Sequence, residues 1–296
     1  MIARRYFLIL CAALLVSACS SAVQNGALTG AEGGFSSGEI SVSTRGSGPD
    51  VILIHGLAGH VDVWAPAAAA LADRYRLHLV QIHGFGGVPR SSTDSLVARA
   101  VAREVARYIR EVRLTRPSVV GHSMGGTIAL MVAADHPALT ERIMVVDMLP
   151  FMGAMFEQPD ASPEALRPMA EQMRAQLLHT DMLDQLVGTM TRSEANRQKL
   201  LQYAKASDRP TVAQAMHEII LTDMRPQLPR LTIPLTVLYV QPTNVRLSPQ
   251  QFDHVMKQTW GSAPNANLVR IEDSAHYIQL DQPARFVAAV DEFMRR

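Results

Sequence analysis

Five residues, Gly121-His122-Ser123-Met124-Gly125, constrain this chain more than any other stretch of it. They lie between Pro117-Ser-Val-Val120, which reads as a short buried strand, and Thr127 to Ala134, which reads as an apolar helix. A strand that turns straight into a helix over one residue holds that residue in a strained conformation. Small neighbours keep such a corner free of clashes, and Gly121, Gly125 and Gly126 supply them. The corner presents the Ser123 hydroxyl beside a helix N-terminus, whose free N–H groups favour developing negative charge. The serine is therefore a candidate nucleophile.

The rest of the body alternates strands with helices. Val51-Ile-Leu-Ile54 is a continuous apolar run, as in a strand buried on both faces, and is followed by the loop His55-Gly56-Leu57-Ala58-Gly59. Further strands are expected at Ile40–Val42, Leu77–Ile82, Ile143–Val146, Leu235–Val240 and Leu268–Ile271. Helices are expected at Trp64–Tyr75, Ser95–Val112 and Phe286–Met294. From about Met148 to Pro229 no strand is convincing and the segments are helical, rich in Met, Leu, Gln and Arg. The pattern predicts an α/β core, 39–147 and 230–296, interrupted by a helical cap over 148–229. A length of 296 residues suits one such large domain, and 48% hydrophobic with 19% charged residues excludes a disordered or coiled-coil chain. With 28 basic against 27 acidic residues there is no general field to hold nucleic acid. The two cysteines stand at positions 11 and 19, so the body has no disulfide, thiolate metal site or catalytic thiol.

At the N-terminus Arg4 and Arg5 precede the apolar run Leu8–Val16, the layout of a signal peptide over residues 1–18. Val16-Ser-Ala-Cys19 resembles the lipobox of bacterial lipoproteins. The resemblance implies cleavage after Ala18, lipidation of Cys19 and a membrane anchor of several acyl chains, in the cell envelope. Ser20, rather than Asp, after the cysteine fits an outer-membrane location, facing the periplasm or the cell surface. Residues 19–38 then form a small-residue tether, and about twenty such residues reach roughly 25 Å.

His276 lies in Ser274-Ala-His276, after the last strand and before the last helix, at the same sheet edge as the serine corner. Of the ten histidines, His136, His179, His217 and His254 read as helix ends or helix surfaces. None falls in a metal-binding spacing, so neither metal nor cofactor is expected. His55-Gly56, Gly84-Phe-Gly86, Gly121–Gly126 and Ser274-Ala-His276, in this order, together resemble the α/β-hydrolase fold family, in its branch with a helical cap. That resemblance implies Ser123 as nucleophile and His276 as general base. It also implies an oxyanion hole from the backbone N–H groups of Leu57 and Met124, with His55 supporting the loop.

Two positions depart from the family. The acid often follows the strand matching Leu235–Val240, but Gln241-Pro-Thr-Asn244-Val245 holds no carboxylate, and Asn244 could orient an imidazole without offsetting its charge. Some relatives carry the acid one structural unit earlier, and Asp147 occupies that place; Asp273 and Asp253 are weaker candidates. Gln81 stands where relatives often have an aspartate, without a functional reading.

Nine methionines fall between 148 and 224. Most fill gaps in a small helical subdomain. Met148, Met152, Met155 and Phe156 lie nearest the expected site and are the pocket candidates, since methionine adapts to varied apolar ligands. No charges converge there. The expected activity is that of a serine carboxylesterase on apolar acyl or aryl esters, a small-molecule substrate. Amidase, lactonase or acyltransferase chemistry on the same triad is an alternative, as is a non-catalytic envelope lipoprotein. A serine at position 123 disfavours a dehalogenase, which needs a carboxylate nucleophile.

Overall fold

A computed structural model describes residues 34–156, 158, 160–243 and 245–296. The expected signal peptide, Cys19 and most of the tether lie outside these residues. Among the described residues no helix is long and apolar enough to cross a membrane.

Among the described residues eight strands form one sheet. In chain order they are β1 (Phe35–Ser36), β2 (Ile40–Arg45), β3 (Asp50–Ile54), β4 (Arg76–Ile82), β5 (Ser118–His122), β6 (Ile143–Val146), β7 (Leu235–Tyr239) and β8 (Ala266–Arg270). Their spatial order is β1-β2-β4-β3-β5-β6-β7-β8. The β1–β2 and β2–β4 pairs are antiparallel and every other pair is parallel. The parallel strands from β3 to β7 are almost wholly buried, which is why they read as unbroken apolar runs.

The register fixes where the site falls. Ile54 pairs with Gly121, His122 with Val146, and Val146 with Leu238. The carboxyl ends of β3, β5, β6 and β7 are thus level, and the loops that leave them share one sheet edge.

The helices are α1 (Ala65–Leu71), α2 (Ala98–Glu111), α3 (Met124–Asp135), α4 (Pro163–His179), α5 (Met182–Gly188), α6 (Glu194–Ala206), α7 (Arg209–Leu221), α8 (Pro249–Trp260), α9 (Ile278–Asp281) and α10 (Pro283–Arg295). Within the core α2 packs on α3 and α1 on α10, and Trp64, just before α1, meets the Phe286 ring of α10 at 5.8 Å. Among the described residues four helices, α4 to α7, lie between β6 and β7, with α4 against α7 and α5 against α6. No strand occurs among the described residues of that stretch.

Two expectations need correcting. The expected tether, 19–38, includes residues that belong to the sheet: Phe35 and Ser36 pair with β2 as an edge strand. Phe35 is held edge-on to Tyr108 at 5.0 Å, with the Arg107 guanidinium 4.6 Å over its ring, and this contact carries the short strand. The helix after the serine starts at Met124, not Thr127. Its glycine-rich first turn lacks apolar periodicity because it lies against backbone. A Cβ on Gly125 would overlap the Ile54 carbonyl oxygen, and one on Gly121 would overlap that of Gly125.

The insertion is joined to the core by a carboxylate. Helix α2 begins at a valine N-cap with no side-chain cap. Glu218 of α7 accepts hydrogen bonds there from the N–H groups of Val97 (2.6 Å), Ala98 (2.9 Å) and Arg99 (2.8 Å).

Candidate active site

Ser123 sits between β5 and α3 with φ 54° and ψ −123°, a strained conformation for a residue with a Cβ. The sheet and the helix hold it there. Its N–H donates to the Val146 carbonyl (2.9 Å), and its carbonyl accepts the N–H of Gly126 (2.7 Å). Three other non-glycine residues at this edge also have positive φ: Ala58 (50°), Asp147 (52°) and Asp273 (57°).

The loop after β3 reaches Ser123 closely, since a Cβ on Gly56 would come within 2.9 Å of Ser123 Cβ. Leu57 is the next residue. Met124 opens α3, so its N–H has no acceptor within the helix. Among the described residues neither the Leu57 nor the Met124 N–H donates to another protein group. The two expected oxyanion donors are therefore both unpaired and lie on the two segments that meet at Ser123.

Two residues brace that loop. His55 is buried; its Nδ1–H donates to the Gly56 carbonyl (2.8 Å) and its Nε2 accepts the N–H of Ile82 (3.0 Å). Burial pushes its pKa down to about 4, so it is a neutral strut. Gln81 accepts the Val61 N–H (2.9 Å) and donates to the carbonyls of Ile82 (2.7 Å) and Phe85 (3.2 Å). It ties the loop after β3 to the Gly84–Gly87 turn, a task that needs both a donor and an acceptor. A carboxylate could not donate to those carbonyls.

His276 and Asp147 meet at the sheet edge. His276 Nδ1 lies 2.7 Å from Asp147 Oδ2, so the ring donates from Nδ1 and Nε2 is the basic nitrogen. The other Asp147 oxygen accepts the N–H of Val240 (3.1 Å), and the Asp147 N–H donates to Leu238 (2.7 Å). The carboxylate is thus pinned between β6 and the end of β7. Asn244 lies outside the described residues. Asp253 is engaged elsewhere, accepting from Tyr239 (2.7 Å) and Arg270 (2.9 Å).

His122, within the serine motif, is buried behind His276, their rings 4.6 Å apart. It donates from Nε2 to the His276 carbonyl (3.0 Å), and burial together with the neighbouring His276 holds it neutral well below the ordinary histidine range. The variable position of the motif gave no sign of this role, because its partner lies in another loop.

The pocket candidates divide. Met148 and Met152 are buried, Phe156 is partly buried, and Met148 Cβ lies 3.5 Å from where a Cβ on Gly126 would stand, beside the serine corner. Met155 is 61% exposed, so it is not enclosed with them: the short 3-10 turn Met152–Phe156 carries it outward. Among the described residues no group of His, Cys, Asp or Glu gathers that could hold a metal ion.

A serine on a strained strand-to-helix corner and a histidine–carboxylate pair on the same edge of a mostly parallel sheet define a class, the α/β-hydrolases. The chain belongs to the alpha/beta hydrolase family, whose profile matches residues 51–289. It is 27% identical over 261 residues to the pimeloyl-[acyl-carrier protein] methyl ester esterase of Aeromonas hydrophila, covering 86% of this chain and 99% of that one. Among solved structures, an esterase from Exiguobacterium antarcticum is similar with a TM-score of 0.69 at 20% identity, over 87% of this chain and 96% of that one. The enol-lactonase from Burkholderia xenovorans LB400 is similar with a TM-score of 0.70 at 19% identity, over the same shares of the two chains. At those identities the structural likeness shows the fold.

Proposed function

We propose that the protein is a serine carboxylesterase acting on small esters with apolar acyl or aryl groups, through an acyl-enzyme. The observation that carries the reading is the 2.7 Å hydrogen bond from His276 Nδ1 to Asp147, because it leaves Nε2 free to take a proton from the Ser123 hydroxyl. In this reading Ser123 Oγ attacks the ester carbonyl and His276 accepts its proton. The N–H groups of Leu57 and Met124 hold the oxyanion. The imidazolium then protonates the leaving alkoxide, and water activated by His276 releases the acid and restores the serine. Asp147 orients the ring and offsets its charge in both halves. The absence of a carboxylate from Gln241-Pro-Thr-Asn-Val245 keeps the non-catalytic alternative open, whereas the Asp147–His276 contact supports the enzyme.

The curated relatives act on an ester borne by a carrier protein. Residues 148–229 of this chain carry eight Lys and Arg against ten Asp and Glu, so the insertion has no net basic field with which to hold a macromolecular substrate. Together with the buried Met148 and Met152, this favours a free, apolar ester.

Turnover of p-nitrophenyl esters of increasing acyl length, on the wild type and Ser123→Ala, tests the reading. The expected result is serine-dependent hydrolysis with a chain-length optimum. Equal turnover by Ser123→Ala, or silence of the folded wild type across the series, would refute it. The envelope location is part of the proposal and rests on Val16-Ser-Ala-Cys19. Cys19→Ala should abolish incorporation of labelled fatty acid in cells and release the protein from the membrane fraction; unchanged fractionation would refute the anchor.

A further inference from the structure

The backbone of His276 is held at three successive residues by three separate parts of the molecule. The Ala275 N–H donates to Asp281 Oδ2 (2.9 Å), the His276 carbonyl accepts from His122 (3.0 Å), and the Tyr277 N–H donates to the Met190 carbonyl (3.0 Å). Met190 belongs to the joint between α5 and α6, in the helical insertion. Asp281 reaches the same joint: its Oδ1 accepts the hydroxyl of buried Thr191 (2.6 Å), and both its oxygens lie 3.1 Å from the Arg192 N–H. One carboxylate therefore bridges the insertion and the loop that carries the histidine.

We propose that Asp281 is a positioning residue for His276, and that the 190–192 joint of the insertion is part of the support of the base. The proposal rests on the reading of His276 as general base. A carboxylate can serve these three donors at once because it offers only acceptor sites. An amide in its place turns a donor toward the Ala275 or Arg192 N–H and leaves that group unpaired. The histidine ring is hydrogen-bonded to Asp147, so a shift of its backbone alters the Nδ1–H···Oδ2 geometry directly. Displacing a catalytic group by about 1 Å can cost about a hundredfold in rate. Seating of the insertion and competence of the base are thereby coupled.

The test uses the full chain as wild type, Asp281→Asn, Thr191→Val and Thr191→Ser. Two quantities are read: kcat and KM on a p-nitrophenyl ester, normalised to sites titrated with a fluorophosphonate, and the low-field NMR resonance of the His276 Nδ1 proton. For Asp281→Asn we expect kcat per titrated site to fall about tenfold or more with KM within about twofold, and the resonance to move or broaden. Thr191→Val should shift both in the same direction by less, and Thr191→Ser should restore them. Folded variants with wild-type kcat per site and an unmoved resonance would overturn the proposal, as would a loss confined to the number of titratable sites. If Asp281→Asn does not fold, the Thr191 pair decides. A wild type without ester turnover would sink the esterase reading alone, and the resonance would still decide whether Asp281 positions the ring.

Discussion

Asp147 stands one residue past β6 with a positive φ, and both its oxygens are used: one for His276 and one for the Val240 N–H. The Val240 contact fixes the carboxylate, so the ring is oriented by a group that cannot itself swing. Asp147→Asn should keep the fold, because an amide still satisfies the Val240 N–H through its oxygen, but its NH2 then faces the ring nitrogen. Forcing the other tautomer in such an arrangement costs up to about 10⁴ in kcat. The expected result is a loss of at least about a hundredfold in kcat at an unchanged melting temperature, read by steady-state kinetics and calorimetry. A fall of less than threefold would move the orienting role elsewhere. At this scale the sequence was informative where chemistry follows from local chain geometry. Ser123 is legible because a strand-to-helix corner tolerates few residue patterns. Gln81 was not, because the Val61 N–H it accepts from lies 20 residues away, on a segment that meets the end of β4 only in the fold.

At the scale of elements, the insertion and core are linked through Glu218, which supplies the cap that α2 lacks. Glu218→Gln removes the negative charge facing three N–H donors and sets an NH2 among them. Leaving a buried donor unpaired costs about 1–3 kcal/mol, and a helix N-terminus loses a further few tenths to 1 kcal/mol when its anion goes. The variant should therefore unfold with a free energy about 1–3 kcal/mol lower in a denaturant titration, whereas Glu171→Gln, exposed in the middle of α4, should be nearly neutral. Strand and helix identities were largely legible, since buried parallel strands and apolar helices leave period and run length in the chain. Starts and ends were less so. Helix α3 begins three residues earlier than its apolar pattern, at glycines selected by backbone approach, and β1 is two residues held by an aromatic contact to α2.

For the whole molecule, burial depresses the pKa of His55 to about 4 and also lowers those of His122, His78 and His83. A depressed histidine binds its proton less well in the native state than in the unfolded chain. The unfolded state therefore takes up more protons below pH 6.5, and stability rises with pH from about 4 to 6.5 and levels off above it. For His55 alone the difference at pH 4 amounts to about 3 kcal/mol. Urea midpoints should be flat from pH 7 to 8 and drop steeply from 6.5 to 4. In His55→Gln the protein should be weaker at pH 7 but show a shallower drop; a slope equal to the wild type's would show that His55 is not a buried neutral group.

What the chain determines by itself is whatever nearest neighbours in sequence impose. The serine corner, the alternation of buried strands and helices and the interruption by helices are of this kind, because each follows from periodicity or from the steric needs of one turn. What only the tertiary structure decided is which distant groups meet. Asp147 and His276 are 129 residues apart, Glu218 and α2 about 120, and Thr191 and Asp281 90. Their contacts depend on the level carboxyl ends of β3, β5, β6 and β7 and on how the insertion packs. Sheet register and helix packing are summed over many weak contacts along the whole chain, so no local stretch of sequence records them.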